Sequence, residues 1–89
     1  MSAKSTLETL RARIDKIDNE LLRLINERVR LAAKVGTDKA IREESVYRPE
    51  REAQIIDRLV QENPGPLSAE VTSFIFREII SLARCAETQ

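Results

Sequence analysis

Histidine and tryptophan are absent from this chain, and cysteine occurs once, at position 85. Without histidine, neither an imidazole-based catalytic triad nor a His/Cys zinc site can be assembled. A single thiol allows no disulfide within the chain. Aromatic residues are only 3% of the sequence, so any interior must be filled by Leu, Ile, Val and Ala, a set suited to interdigitating helices. Net charge is also missing: fifteen basic residues balance fifteen acidic ones. That balance argues against a general nucleic-acid or membrane-surface binder, which carries a basic excess. No apolar run approaches the ~20 residues of a membrane span, and no signal-like apolar segment follows Met1, so a cytoplasmic location is expected. The 89 residues are expected to form one domain over 1–89. A chain this short buries only about 60% of its unfolded surface, so a core shared between subunits would help it materially.

What is present is a long apolar seam. Leu7, Leu10, Ile14, Ile17, Leu21, Leu24, Leu31 and Val35 alternate at spacings of three and four, with the cation Arg28 in register among them. This periodicity predicts a helix over residues 7–39 that buries one stripe against a helical partner. A helix of about 33 residues is roughly 50 Å long, whereas a compact globule of this size has a radius of gyration of about 12 Å. Such a helix protrudes from a monomer. A twofold oligomer, in which two copies cover each other's seams, is the economical solution. Arg28 by itself admits a bland explanation, a surface arginine whose stem packs while its head reaches water.

Two further helices follow. Gly36 either ends the first helix or sits inside it at a cost of about 1 kcal/mol, and Glu43, Glu44 and Ser45 suggest a polar connection. Pro49 suits a first helical position, and Glu50 and Glu52 suit the positive end of the helix dipole. A second helix is predicted from Pro49 to about Glu62, with Ile55, Ile56, Leu59 and Val60 inward, stopped by Asn63-Pro64-Gly65-Pro66. Ser68 is a good N-cap for a third helix carrying Val71, Phe74, Ile75, Ile79, Leu82 and Ala86 at helical spacing. The fold class is therefore all-α, with a long, a short and a medium helix.

Several polar residues fall on or beside these apolar faces. Lys39 lies eleven residues beyond Arg28, within about 20° of the same helical face and roughly 16 Å along the axis, so the two long side chains can converge on one ligand. Arg11 lies seventeen residues before Arg28, about 25 Å away, too far to share a small ligand within one chain. An antiparallel partner helix would bring Arg11 to the other subunit's Arg28. Arg48, Glu52, Ile55 and Leu59 share a stripe on the second helix. Phe76, Ile80, Ala83 and Glu87 share one on the third. Each charge also has a structural explanation: Glu52 capping a helix or pairing with Arg48, Lys39 solvated, Glu87 frayed at a helix end.

The joint pattern is more specific than its parts. Leu10-Arg11 with Ile14, Ile17-Asp18, Leu21-Leu22 with Glu27-Arg28, Val35-Gly36, Lys39, the run Val46 to Glu52, and Phe76-Arg77-Glu78-Ile79-Ile80 together resemble the all-helical (AroQ-class) chorismate mutase family. The resemblance covers about residues 7–87. It is strongest to the mutase domain at the N-terminus of bifunctional chorismate mutase-prephenate dehydratases, where runs like Tyr47 to Glu52 and Asn63 to Ser68 are familiar.

This resemblance implies an intertwined helical homodimer with two active sites, each completed by the partner's long helix, and no cofactor or metal. Arg28 and, in trans, Arg11 would bind the two carboxylates of chorismate. Lys39 would donate to the ether oxygen, and Glu52 would accept from the ring hydroxyl. Arg48 and Arg51 would lie beside the site, and Glu87 matches a position facing the ether oxygen. Lys39, Glu87 and Arg28 would then carry the catalysis, with Lys39→Ala impairing turnover more than Arg11→Ala.

Three positions depart from the family pattern. Many relatives have glutamine at Glu87, and a carboxyl donates to an ether oxygen only when protonated. Burial would raise its pKa, so activity is expected to increase toward mildly acidic pH; a flat profile together with an unaffected Glu87→Gln variant would count against this. Ala83 replaces a serine that contacts a carboxylate in some members. Some relatives have aspartate at Arg48. The seam alone would equally support a non-catalytic helical dimerisation module, and the resemblance leaves open a related isochorismate pyruvate lyase with a similar cationic pocket, against which the Tyr47 to Glu52 run favours the mutase.

Overall fold

The computed structural model describes the backbone of residues 3–37 and 49–88 and the side chains of residues 6–35 and 49–82. It contains three helices, α1 (Ala3–Thr37), α2 (Pro49–Glu62) and α3 (Ala69–Thr88), and no strand among the described residues. The lengths are long, short and medium, as the periodicity predicts. α1 starts one turn before the seam because Ala3 and Lys4 are good helix formers that an apolar pattern does not register. Gly36 lies inside it. The expected connection at Glu43, Glu44 and Ser45 lies outside the described residues.

The helix ends follow local chemistry. Pro49 opens α2 with Glu50 and Glu52 in the first turn, where carboxylates face the unsatisfied N–H groups. Asn63 ends it. The Asn63 Oδ1 accepts from the Gly65 N–H at 3.0 Å, and Nδ2 donates to the Leu67 carbonyl at 2.6 Å. Gly65 has φ of +86°, a conformation in which a Cβ would be strained although the space around it is open. Ser68 caps α3: its Oγ accepts from the Val71 N–H at 3.1 Å, and the Thr72 Oγ1 donates to the Ser68 carbonyl at 2.8 Å.

α3 is the element on which both others pack. Its inward face is Thr72, Ile75, Phe76, Ile79 and Ile80, with Thr72 and Ile80 only 4% and 6% exposed. α2 contributes Glu52, Ile55, Ile56, Leu59 and Val60, all half-buried. From α1 only the C-terminal half takes part, through Ile25, Val29, Ala32 and Ala33.

The buried stripes differ from the simplest reading of the pattern. On α3, Val71, Phe74 and Leu82 point outward, and the stripe through Phe76 and Ile80 turns inward instead. On α1, the seam itself stays uncovered. Leu7 to Leu24 are 46 to 62% exposed, and Leu31 is as open. Every described side chain from residue 6 to 24 is exposed, so about 27 Å of helix stands free of its own chain. The molecule measures 59 × 25 × 16 Å with a radius of gyration of 17.1 Å. Its accessible surface is 7370 Å², against about 5,300 Å² for a compact monomer of this mass.

Candidate functional site

Arg28 sits where the two stripes of α1 meet. On one side are Ile25, Val29 and Ala32, which face α3; on the other are Leu24 and Leu31 of the open seam. The side chain is half-buried, in contrast to the exposed Arg11. The burial follows from the helical angle, which puts residue 28 between both faces. Because α1 is continuous from Ala3 to Thr37, the seventeen residues between Arg11 and Arg28 hold them about 25 Å apart. One chain therefore does not bring them together.

A separate candidate region lies between α2 and α3. A cleft of about 390 Å³ is lined by Glu52, Ala53, Ile56, Arg77 and Ile80. Glu52 is half-buried in the first turn of α2, and Arg51 beside it is exposed. The short connection at residues 63–68 folds α3 back along α2, which sets the start of α2 against the middle of α3. Ile56 and Ile80 make the cleft apolar, while Glu52 and Arg77 give it one charge of each sign.

Lys39 and Arg48 lie outside the described residues, as do the side chains of Ala83 and Glu87, whose backbone belongs to α3. Arg77 lines the cleft, although the sequence pattern gives it no role beyond its place in the run Phe76 to Ile80. Its signal was its position, level with Glu52 once the turn at Asn63 to Ser68 is taken as the hairpin's pivot.

Electrostatic perturbation is found elsewhere, on the outer face of α1. Glu20 pairs with Arg23, which also reaches Glu27 at 3.1 Å. The hydrogen bond from Arg23 holds the Glu20 carboxyl below its ordinary value, and the same bond raises the Arg23 guanidinium. These groups are fully exposed and take no part in the cleft.

Arginines and a half-buried carboxylate beside apolar walls suit an anionic ligand that also carries a hydroxyl, since charge-assisted hydrogen bonds are the strong ones. The sequence profile described as chorismate mutase type II matches residues 10–88. The chain belongs to this family. The chorismate mutase assignment extends to the relatives. A bifunctional chorismate mutase/prephenate dehydratase of Stutzerimonas stutzeri is 44% identical over 86 residues, covering 91% of this chain and 24% of that protein. The chain spans about a quarter of the length of the curated relatives it matches. Among solved structures, a chorismate mutase of Thermus thermophilus superposes with a TM-score of 0.84 at 32% identity, covering 94% of this chain and 96% of that one. A chorismate mutase of Helicobacter pylori in complex with prephenate gives 0.81 at 36% identity, covering 94% and 91%.

Proposed function

We propose that this chain converts chorismate to prephenate, as a single mutase domain over residues 1–89, in the cytoplasmic synthesis of aromatic amino acids. The observation that carries the reading is Arg28, a cation held half-buried beside an open apolar seam in a chain that matches the family from residue 10 to 88. The prephenate complex of the Helicobacter pylori relative supports the same substrate class.

The working form is an intertwined homodimer. The uncovered seam from Leu7 to Leu24 and the elongated shape support it, because apolar surface of this extent is stabilised by a partner. In such a dimer Arg11 of one subunit completes the site around Arg28 of the other. Arg11 and Arg28 hold the two carboxylates of chorismate, and Glu52 accepts from its ring hydroxyl. Arg48 and Arg51 flank the site, Ala83 lines it, and Lys39 and Glu87 face the ether oxygen.

The reaction is a unimolecular rearrangement. The ether carbon–oxygen bond breaks, a carbon–carbon bond forms, and no proton, electron pair or group leaves the molecule. The protein has two tasks. One is to hold the flexible dianion in the compact conformer in which its reacting carbons meet, for which paired arginine–carboxylate contacts are suited. The other is to stabilise negative charge developing on the ether oxygen. A preorganised donor in that role typically contributes about a hundredfold to a thousandfold in rate.

The test is a direct assay of purified chain with chorismate, following loss of substrate absorbance and identifying the product by chromatography. Prephenate is the expected product, and Arg28→Ala is expected to abolish its formation. Pyruvate release from isochorismate with no action on chorismate would point to the lyase instead. No turnover from folded dimer would leave a dimerisation module.

A further inference from the structure

We propose that Asp18 is a positioning residue that acts in trans, holding the guanidinium of the partner's Arg28 ready for a substrate carboxylate. This rests on the twofold reading given above and adds an anion to it. Neither charge has a counter-ion one turn away on its own helix. The residues three and four positions from Arg28 are Leu24, Ile25, Leu31 and Ala32, and those around Asp18 are Ile14, Asp15, Leu21 and Leu22. Among the described residues, the side chains of Asp18 and Arg28 make no hydrogen bond or ion pair. Arg28 is already half-buried in the single chain. Once a second seam covers it, the guanidinium loses more water, and a cation left there without an anion is costly. Before substrate binds, the counter-charge has to come from the other subunit.

Helix geometry selects Asp18 for that place. It lies seven residues after Arg11, within about 20° of the same face, and borders the seam between Ile14 and Leu21. The antiparallel pairing that sets Arg11 level with the partner's Arg28 sets Asp18 level with the partner's Leu21, about 10 Å along the axis from that arginine. Side chains on a helix lean toward its N-terminus. On antiparallel helices this lean carries Arg28 and Asp18 toward each other, and the long arginine stem closes the separation. Asp15 is the neighbouring alternative. It is turned about 60° further from the seam and stands four residues from Arg11, where it serves that cation instead. The guanidinium presents several donors in one plane, so one edge serves Asp18 while another is left for the substrate.

Mixed dimers of the full chain, refolded from an Arg28→Ala subunit and an Arg11→Ala subunit, test this with chorismate. Their one working site combines the intact Arg28 of one subunit with the intact Arg11 of the other. Asp18→Asn added to the Arg28→Ala subunit lies in that site and is expected to lower kcat/KM roughly tenfold, the scale of one hydrogen bond to a charged group. The same change added to the Arg11→Ala subunit falls in the dead site and is expected to cost nothing. Asp18→Glu in the working site should recover part of the loss. Equal losses in the two placements mark a structural role, and a loss confined to the Arg11→Ala subunit sets Asp18 beside its own Arg28; either overturns the proposal. So does no loss in either placement, or a loss from Asp15→Asn in the working site with none from Asp18→Asn. If Asp18→Asn subunits do not pair, Asp18→Glu is read in the same two placements, and its smaller loss must appear in the working site alone. An active wild type with inactive mixed dimers overturns the trans arrangement and this inference while the proposed reaction stands. An inactive wild type overturns all three.

Discussion

The Asn63 Nδ2 donates to the Thr72 Oγ1 at 3.2 Å, tying the end of α2 to the first turns of α3. The same side chain serves the Leu67 carbonyl and the Gly65 N–H, and Thr72 is nearly fully buried. This small network sets how α3 folds back along α2, and with it the register that brings Glu52 and Arg77 to one cleft. Asn63→Ala is expected to destabilise the chain by about 1–3 kcal/mol, since it leaves partly buried partners unsatisfied. Asn63→Asp should be no milder, because it keeps the acceptor for Gly65 and replaces both donors by a lone-pair oxygen. Urea unfolding followed by far-ultraviolet circular dichroism measures both.

Ile17 is 59% exposed within its own chain. In a monomer Ile17→Glu would be a surface change worth less than about 0.5 kcal/mol. If two seams cover each other, it places a carboxylate in the shared core. Sedimentation equilibrium is expected to find wild type at twice the chain mass and Ile17→Glu shifted toward one chain mass, with a lower melting midpoint. An unaltered dimer would show that the seam is not the contact surface.

Arg11 and Arg28 cannot meet within one chain, so variants of each should complement. Arg11→Ala and Arg28→Ala are each expected to be nearly inactive alone. Mixed after unfolding and refolding together, they should recover about a quarter of wild-type activity, because random twofold pairing makes half the dimers mixed, with one intact site of two. No recovery from confirmed mixed dimers would show that the two arginines serve the same subunit's site.

The Glu20–Arg23 pair on α1 is exposed on both sides. The hydrogen bond from Arg23 lowers the Glu20 pKa, so its stabilising contribution is present above the ordinary carboxylate range, about 4, and disappears as pH falls through the depressed value. Exposed pairs contribute little and are screened by salt. Glu20→Gln should therefore leave the neutral-pH melting midpoint almost unchanged in physiological salt and make the loss of stability in acid slightly shallower. A large neutral-pH loss would mean that Glu20 has a partner beyond its own helix.

Local chemistry determined the helices. Pro49 with Glu50 and Glu52 marks one start, Ser68 another, and the Asn63 to Pro66 run a stop, because caps and breakers act within a few residues and need no distant contact. The three–four spacing from Leu7 to Val35 likewise made the long helix and the odd position of Arg28 legible, and the 17-residue separation already required Arg11 to act in trans if it acts at all. Tertiary structure decided which of the competing stripes turns inward: Phe76 and Ile80 rather than Val71 and Phe74 on α3, and Ile25, Val29 and Ala32 rather than Leu24 and Leu31 on α1. It also placed Arg77 and Glu52 on the lining of one cleft. Periodicity reports that a face is apolar, and a helix with two such faces is equally amphipathic toward either. The choice between them belongs to the neighbouring helix and its register rather than to spacing along the chain, and for α2 and α3 the contacts at Asn63 hold that register.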